Sequence, residues 1–148
     1  MPRVVLLDSG PLGMIAHPRI DPDVATWVNT LLANGDRMLI PEIADYVVRR
    51  ELLRADLQRS VARLDALKSS FEYLPLTTDA MLQAAAFWAE ARQAGRPTAL
   101  DLALDGDVIL AVQTVVLARN IAEPAIIATT NVGHLARSTS AMLWHTIR

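Results

Sequence analysis

The chain contains no cysteine, which excludes disulfides and thiolate-held zinc and agrees with a cytoplasmic protein. Lysine is nearly absent too: Lys68 is the only one, and every other cationic side chain is arginine, concentrated as Arg49, Arg50, Arg54, Arg59 and Arg63. No apolar run approaches the ~20 residues that span a bilayer, so no membrane span is expected. No basic stretch followed by an apolar one opens the chain, so export by a signal peptide is not expected either. There is no basic excess, because the formal net charge is −2, and phosphate neutralisation normally shows as such an excess. The overall balance therefore gives no support to RNA or DNA binding. The type of cation is more suggestive, since arginine forks onto phosphate and stacks on bases. The same cluster also reads as a solvated helix face with Glu51, Asp56 and Asp65 as partners, or as compositional bias.

What is present argues for a compact α/β domain. Apolar residues make up 52% of the chain and charged ones only 20%, a balance that opposes disorder. With 148 residues, a single domain over 1–148 would bury roughly two-thirds of its unfolded surface. There is no internal repeat, low-complexity tract or linker.

Strand-like and helix-like segments alternate. Val4-Val5-Leu6-Leu7 fits a strand covered on both faces; Gly10 then allows a sharp turn and Pro11 suits the start of a helix. Asp21-Pro22-Asp23 reads as cap, first-turn proline and first-turn acid of a helix through Ala33, with Val24, Trp27, Val28, Leu31 and Leu32 on one face and Asn34-Gly35 at its end. Arg37 to Ile40 is the second strand, and Pro41 opens a helix to about Arg54. A helix over Asp56 to Ser70 follows, then a strand within Phe71 to Leu76 that Pro75 confines to an edge. Thr77 or Thr78 caps a helix to Ala94. Arg96 to Leu104 is the longest loop, Asp107 to Arg119 an apolar helix, and Ala125 to Thr129 the fourth strand. Asn131 to Ala136 reads as a short helix and Met142 to Ile147 as a final strand. This βαβα order predicts a three-layer α/β/α sandwich around a mainly parallel sheet.

Three polar clusters stand at element ends that such a sheet brings together: Asp8, Asp105-Gly106-Asp107 and Thr129-Thr130-Asn131. In open α/β sheets, ligands bind in the crevice at the carboxyl ends of the strands. Asp8 and Asp107, with other oxygen donors, suit Mg²⁺ or Mn²⁺, hard cations that prefer carboxylate, carbonyl and water ligands. Structural readings stand beside these. Asp105 serves equally as a helix cap, the helix dipole favours Asp107 in a first turn, and Asn131 serves equally as the cap of its own short helix. Asp8 is harder to explain in this way, because a carboxylate beside a buried strand needs compensating partners.

These residues resemble the PIN domain family, a metal-dependent nuclease fold that includes the VapC-type toxins of toxin-antitoxin systems. The resemblance spans essentially the whole chain. An aspartate followed by a small hydroxyl residue at the end of the first strand is similar to Leu7-Asp8-Ser9. A pattern like D-x-x-I/L-A is similar to Asp107-Val108-Ile109-Leu110-Ala111. A T-x-N/D-x-x-x-F/L stretch is similar to Thr129-Thr130-Asn131-Val132-Gly133-His134-Leu135. The resemblance implies an endoribonuclease using Mg²⁺ or Mn²⁺, with Asp8 and Asp107 as metal ligands, Asp105 as an auxiliary acid, and Ser9 and Asn131 as polar groups that hold the site. Arg49 and Arg50 are candidates for substrate contact. It also implies an RNA substrate, an antitoxin partner and a homodimer paired through Leu52, Leu53, Leu57 and Val61.

The chain departs from the family pattern at two points. The glutamate usual inside the helix after the second strand falls on Val47, which cannot hold a metal. Glu51, one turn further along, is the candidate substitute, with pairing to Arg50 or Arg54 as its ordinary role. His134 stands where many members carry a second acid. A catalytically impaired protein that binds RNA or a protein partner is therefore the alternative function. Two other α/β classes fit less well. A receiver domain wants a lysine after a late strand, whereas Lys68 falls in a helix; a haloacid-dehalogenase-type phosphatase wants an aspartate where Gly10 stands.

Overall fold

The computed structural model describes residues 2–93, 104–121, 123–133 and 140–148. Among them, strands β1 (Val4–Leu7), β2 (Arg37–Pro41), β3 (Glu72–Leu74), β4 (Ala125–Thr129) and β5 (Ala141–Leu143) form one sheet in the order β3-β2-β1-β4-β5, with every neighbouring pair parallel. Helices α1 (Ser9–Ala16), α2 (Pro22–Ala33), α3 (Glu42–Arg54), α4 (Gln58–Ala66), α5 (Thr78–Gln93) and α6 (Leu104–Asn120) cover it. The architecture is the expected α/β/α sandwich, and β3 is an edge strand as Pro75 requires.

All four β1 residues are fully buried, because successive side chains point to opposite faces of a sheet that is covered on both. Val5 and Leu7 enter a core with Leu12 and Ile15 of α1, Val24, Trp27 and Leu31 of α2, and Leu64 of α4. Val4 and Leu6 face the other way, against Leu39, Ile43, Leu110 and Ile127. A third cluster, Ala80, Ala84 and Val112, joins α5 to α6. Removing a side chain such as Leu6 would cost about 2–5 kcal/mol through lost burial and the cavity left behind.

Local chemistry sets the boundaries, and several differ from expectation. Asp21 caps α2 by accepting from Asp23 N at 2.8 Å, and Gly35 takes the left-handed φ of 84° that ends it. Pro41 closes β2 instead of opening α3; its extended ψ of 136° makes it the residue before the helix. Asp56 adopts φ 56° and accepts from Gln58 Nε2, so the chain reverses there and α4 starts at Gln58. After α4, Leu67–Ser69 forms a short 3-10 turn. Thr77 is the cap of α5, since its Oγ1 accepts from Ala80 N at 3.1 Å. The last strand stops at Leu143 because Trp144 begins a 3-10 turn and meets Trp27 edge-on at 5.4 Å, while Trp27 Nε1 donates to Ile147 O. Residues 131–133 are not helical. The remainder of the helix expected to Ala136, His134, and the loop from Arg96 to 103 lie outside the described residues.

Candidate functional site

At the carboxyl ends of the strands, Asp8 is fixed at every polar atom. Its N–H donates to Ala128 O at 3.0 Å, which extends the β1–β4 ladder, and its C=O accepts from Leu12 N as α1 begins. Carboxylate Oδ1 accepts from Ser9 N at 2.8 Å, and Oδ2 accepts from the Thr129 hydroxyl at 2.7 Å. Thr129 is fully buried, and its Oγ1 accepts in turn from Asn131 N at 3.1 Å. Charge-assisted bonds from two donors lock the plane of the carboxylate. The close approach of α1 to the β4 turn explains Gly10: a Cβ there would lie 2.5 Å from Thr130 Oγ1.

The opposite wall is the first turn of α6, which carries Asp105 and Asp107 where the helix dipole favours acids. Helix α6 starts at Leu104, so Asp105 lies inside the first turn and is not its cap. The third wall is a stripe on α3 at helical spacing, Ile43, Ala44, Tyr46, Val47 and Arg50. Together these elements enclose a crevice of about 570 Å³ that Asp8, Ser9, Asp105, Asp107, Val47 and Arg50 all line. Gly106 brings α6 to ordinary contact distance of α3, since a Cβ there would meet Val47 Cγ2 at 3.5 Å.

The structure does not bring every candidate into this crevice. Glu51 is exposed and holds Arg54 at 2.8 Å, so its ordinary role as an arginine partner is the one observed. Arg49 points to a neighbouring hollow, donating to Asp45 at 2.8 Å and to Asp65 at 2.7 Å; these bonds, Asp45 first, raise its pKa above the usual arginine value. Asn131 is exposed, and its Oδ1 accepts from Gly133 N at 3.1 Å; it reaches Asp8 only through Thr129. Tyr46 and Thr129 belong to the site, although the sequence reading assigned them no role. The i, i+3, i+4, i+7 stripe that contains Val47 would have found Tyr46.

The donors in the crevice suit a hard cation, being oxygens without thiolate or imidazole. Among the described residues no three His, Cys, Asp or Glu side chains form a ready-made metal cage. The residues fit an ion held through two carboxylates that retains several waters, as Mg²⁺ commonly does.

A parallel β3-β2-β1-β4-β5 sheet flanked by these helices is a PIN-like α/β/α fold. The structural likeness spans nearly the full length of several solved chains. One belongs to VapBC2 from Rickettsia felis bound to a DNA fragment from their promoter, at TM-score 0.70 and 15% identity, covering 94% of this chain and 97% of that one. Another belongs to DNA-bound VapBC from Salmonella typhimurium, at TM-score 0.66 and 18% identity over 97% and 99% of the two chains. A third belongs to FitAcB from Neisseria gonorrhoeae, at TM-score 0.64 and 16% identity over 97% and 99%. No family model and no curated protein matches the sequence, so the likeness is one of fold.

Proposed function

We propose that this chain is a metal-dependent endoribonuclease that hydrolyses RNA phosphodiesters, and that it is the toxin half of a toxin-antitoxin pair. The observation that carries the reading is the convergence of Asp8, Asp105 and Asp107 on one crevice of a VapC-like fold, with Arg50 on its wall. Asp8 and Asp107 hold Mg²⁺ or Mn²⁺ through carboxylate oxygens and water. Such a cation supplies activation of a water nucleophile and offsets the charge that develops on the phosphate. Arg50 provides positive charge beside the three acids of the crevice, which receiving a phosphodiester needs. Ser9 and Asp105 border the reacting phosphate, with Asp105 as auxiliary acid, while Thr129 and Asn131 keep the Asp8 carboxylate in place.

The likeness to VapBC chains supports a protein partner of antitoxin type. Leu53 and Leu57, 53% and 50% exposed, support a homodimer formed where α3 meets α4, with the half-buried Leu52 and Val61 behind them. Among the described residues no helix is long and apolar enough to cross a membrane, and a cytoplasmic location is part of this proposal, since the proposed RNA substrate is found there.

Val47 favours a second reading, because a methyl-bearing side chain lines the crevice where relatives of the resembled family place a glutamate. On that reading the chain binds RNA or protein without cleaving. A fluorescent single-stranded RNA assay with Mn²⁺ decides between them. The nuclease reading expects cleavage by wild type, none by Asp8→Asn, and little change in Glu51→Gln because that carboxylate is committed to Arg54. The second reading expects an inert wild type and a gain of cleavage and metal affinity in Val47→Glu. Cleavage by Asp8→Asn at the wild-type rate sinks the nuclease reading.

A further inference from the structure

We infer that Tyr46 and the hollow behind it form a base site for a single-stranded RNA nucleotide whose phosphate sits on Arg50, an inference that rests on the ribonuclease reading above. Tyr46 is 57% exposed. An isolated exposed aromatic needs no explanation, but this one stands on the wall between two cavities. Ile43, Tyr46 and Ile109 line both the acidic crevice and a second hollow of about 640 Å³, whose rim carries Glu42, Asp65 and Lys68. That volume falls within the range of small-molecule pockets.

Arg50 supplies the second observation. Arg3, Arg37, Arg49 and Arg54 are each held by a carboxylate. Arg50 shares its crevice with Asp8, Asp105 and Asp107, yet among the described residues the group it meets is the Tyr46 ring, 5.3 Å from guanidinium carbon to ring centroid. A guanidinium that keeps its donors and is steadied by an aromatic face is arranged for an external anion. The anion and the ring together specify a nucleotide. RNA in single strands is recognised by splaying a base onto an aromatic side chain while cations track the backbone. A nucleotide bridging the crevice and the hollow would have its phosphate on Arg50 and its base against Tyr46, with donors and acceptors at the hollow's rim meeting the base edge. Duplex RNA keeps its bases stacked and cannot enter in this way.

The test is fluorescence anisotropy in an Asp8→Asn background, which blocks cleavage. The probes are a short labelled single-stranded RNA and the same ribose-phosphate chain without bases. Adding Tyr46→Ala should weaken binding of the base-bearing strand by at least about fivefold, the lower end of a lost base–aromatic stack. It should leave the abasic strand unaffected, and Tyr46→Phe should restore binding. Arg50→Gln should weaken both probes alike. Equal affinity of the Tyr46→Ala and Tyr46-bearing proteins for the base-bearing strand, or an equal loss on both probes, overturns the base site while leaving the nuclease reading intact. A wild type that neither binds nor cleaves single-stranded RNA removes both.

Discussion

At the amino ends of the strands, Arg3 meets Asp36 at 2.9 Å and Arg37 meets Glu72 at 2.7 Å and Glu123 at 3.4 Å. At the carboxyl ends, Asp8, Asp105 and Asp107 share a crevice with Arg50. One end of the sheet matches its charges in pairs, and the other concentrates charge of one sign. The first arrangement ties strands to each other, since Arg3, Asp36, Arg37, Glu72 and Glu123 lie at or just before the starts of β1 to β4. The second gathers three acids around one crevice, where any mutual repulsion is relieved by charge of opposite sign. The charge pairs that tie the strands and the site of the proposed function therefore lie at opposite ends of the same strands.

That division is open to direct attack, and the paired end should show the largest effect. Asp36 has a side chain only 4% exposed and accepts bonds from the Arg3 backbone N–H and guanidinium. Asp36→Ala should lower unfolding free energy by about 2–3 kcal/mol, less than for a fully buried pair because Arg3 remains partly solvated. RNA cleavage per folded molecule should not change. The Arg3 hydrogen bonds hold the Asp36 carboxyl below its ordinary range, so this stability is present above the unfolded pKa near ~3.9 and lost as pH falls through the folded value. Urea titrations should show the wild-type advantage intact at about pH 6 and shrinking below about pH 4. An advantage independent of pH would mean that Asp36 acts by packing.

Thr129→Val should cost less, about 1–2 kcal/mol, because it takes the hydroxyl partner from the half-buried Asp8 Oδ2 and from Asn131 N. Unlike Asp36→Ala, it should also weaken Mn²⁺ binding by calorimetry, and Thr129→Ser should restore both properties. Mn²⁺ itself, at several times its dissociation constant, should stabilise the wild type by about 1 kcal/mol. If millimolar Mn²⁺ gives no heat of binding, while Asp8→Asn and Asp107→Asn melt higher than wild type, the acids are residual. The smallest change in folding should come from Leu53→Ser with Leu57→Ser, within about 0.5 kcal/mol for the monomer since both are exposed. Sedimentation should nonetheless shift from dimer to monomer.

Much of this frame was legible in the sequence for identifiable reasons. β1 and β4 are apolar runs that end abruptly in polar residues, and Asp21-Pro22 and Asn34-Gly35 bracket α2 with residues whose local chemistry leaves little choice. The failures lie where long-range contacts decide. Trp144 leaves the strand pattern to meet Trp27, far away in sequence, and Asp56 turns the chain with a φ that residue type alone does not announce. In the site, Asp8, Asp105 and Asp107 could be placed in one crevice because strand and helix ends converge there. Glu51 and Arg49 could not be excluded from it by periodicity. Glu51 takes Arg54 and Arg49 takes Asp45 within α3 itself, while the second partner of Arg49, Asp65, is supplied by the packing of α4 against α3. Tyr46 belongs to none of the acidic motifs, and only its place on the same stripe as Val47 marks it in the sequence.

The strand order has a consequence for synthesis on the ribosome. β1, β2 and β3 emerge first and can pair among themselves, but β1 acquires its other neighbour only when β4 appears. Asp8 and the Thr129 hydroxyl that fixes it are 121 residues apart, an interval on the order of ten seconds at ordinary elongation rates. Throughout that interval the nascent chain carries Asp8 without the hydroxyl that locks it. The Asp8 carboxylate is therefore locked only after β4 has emerged, so a truncated product ending before β4 would carry β1 to β3 and the crevice-lining residues with Asp8 still unlocked.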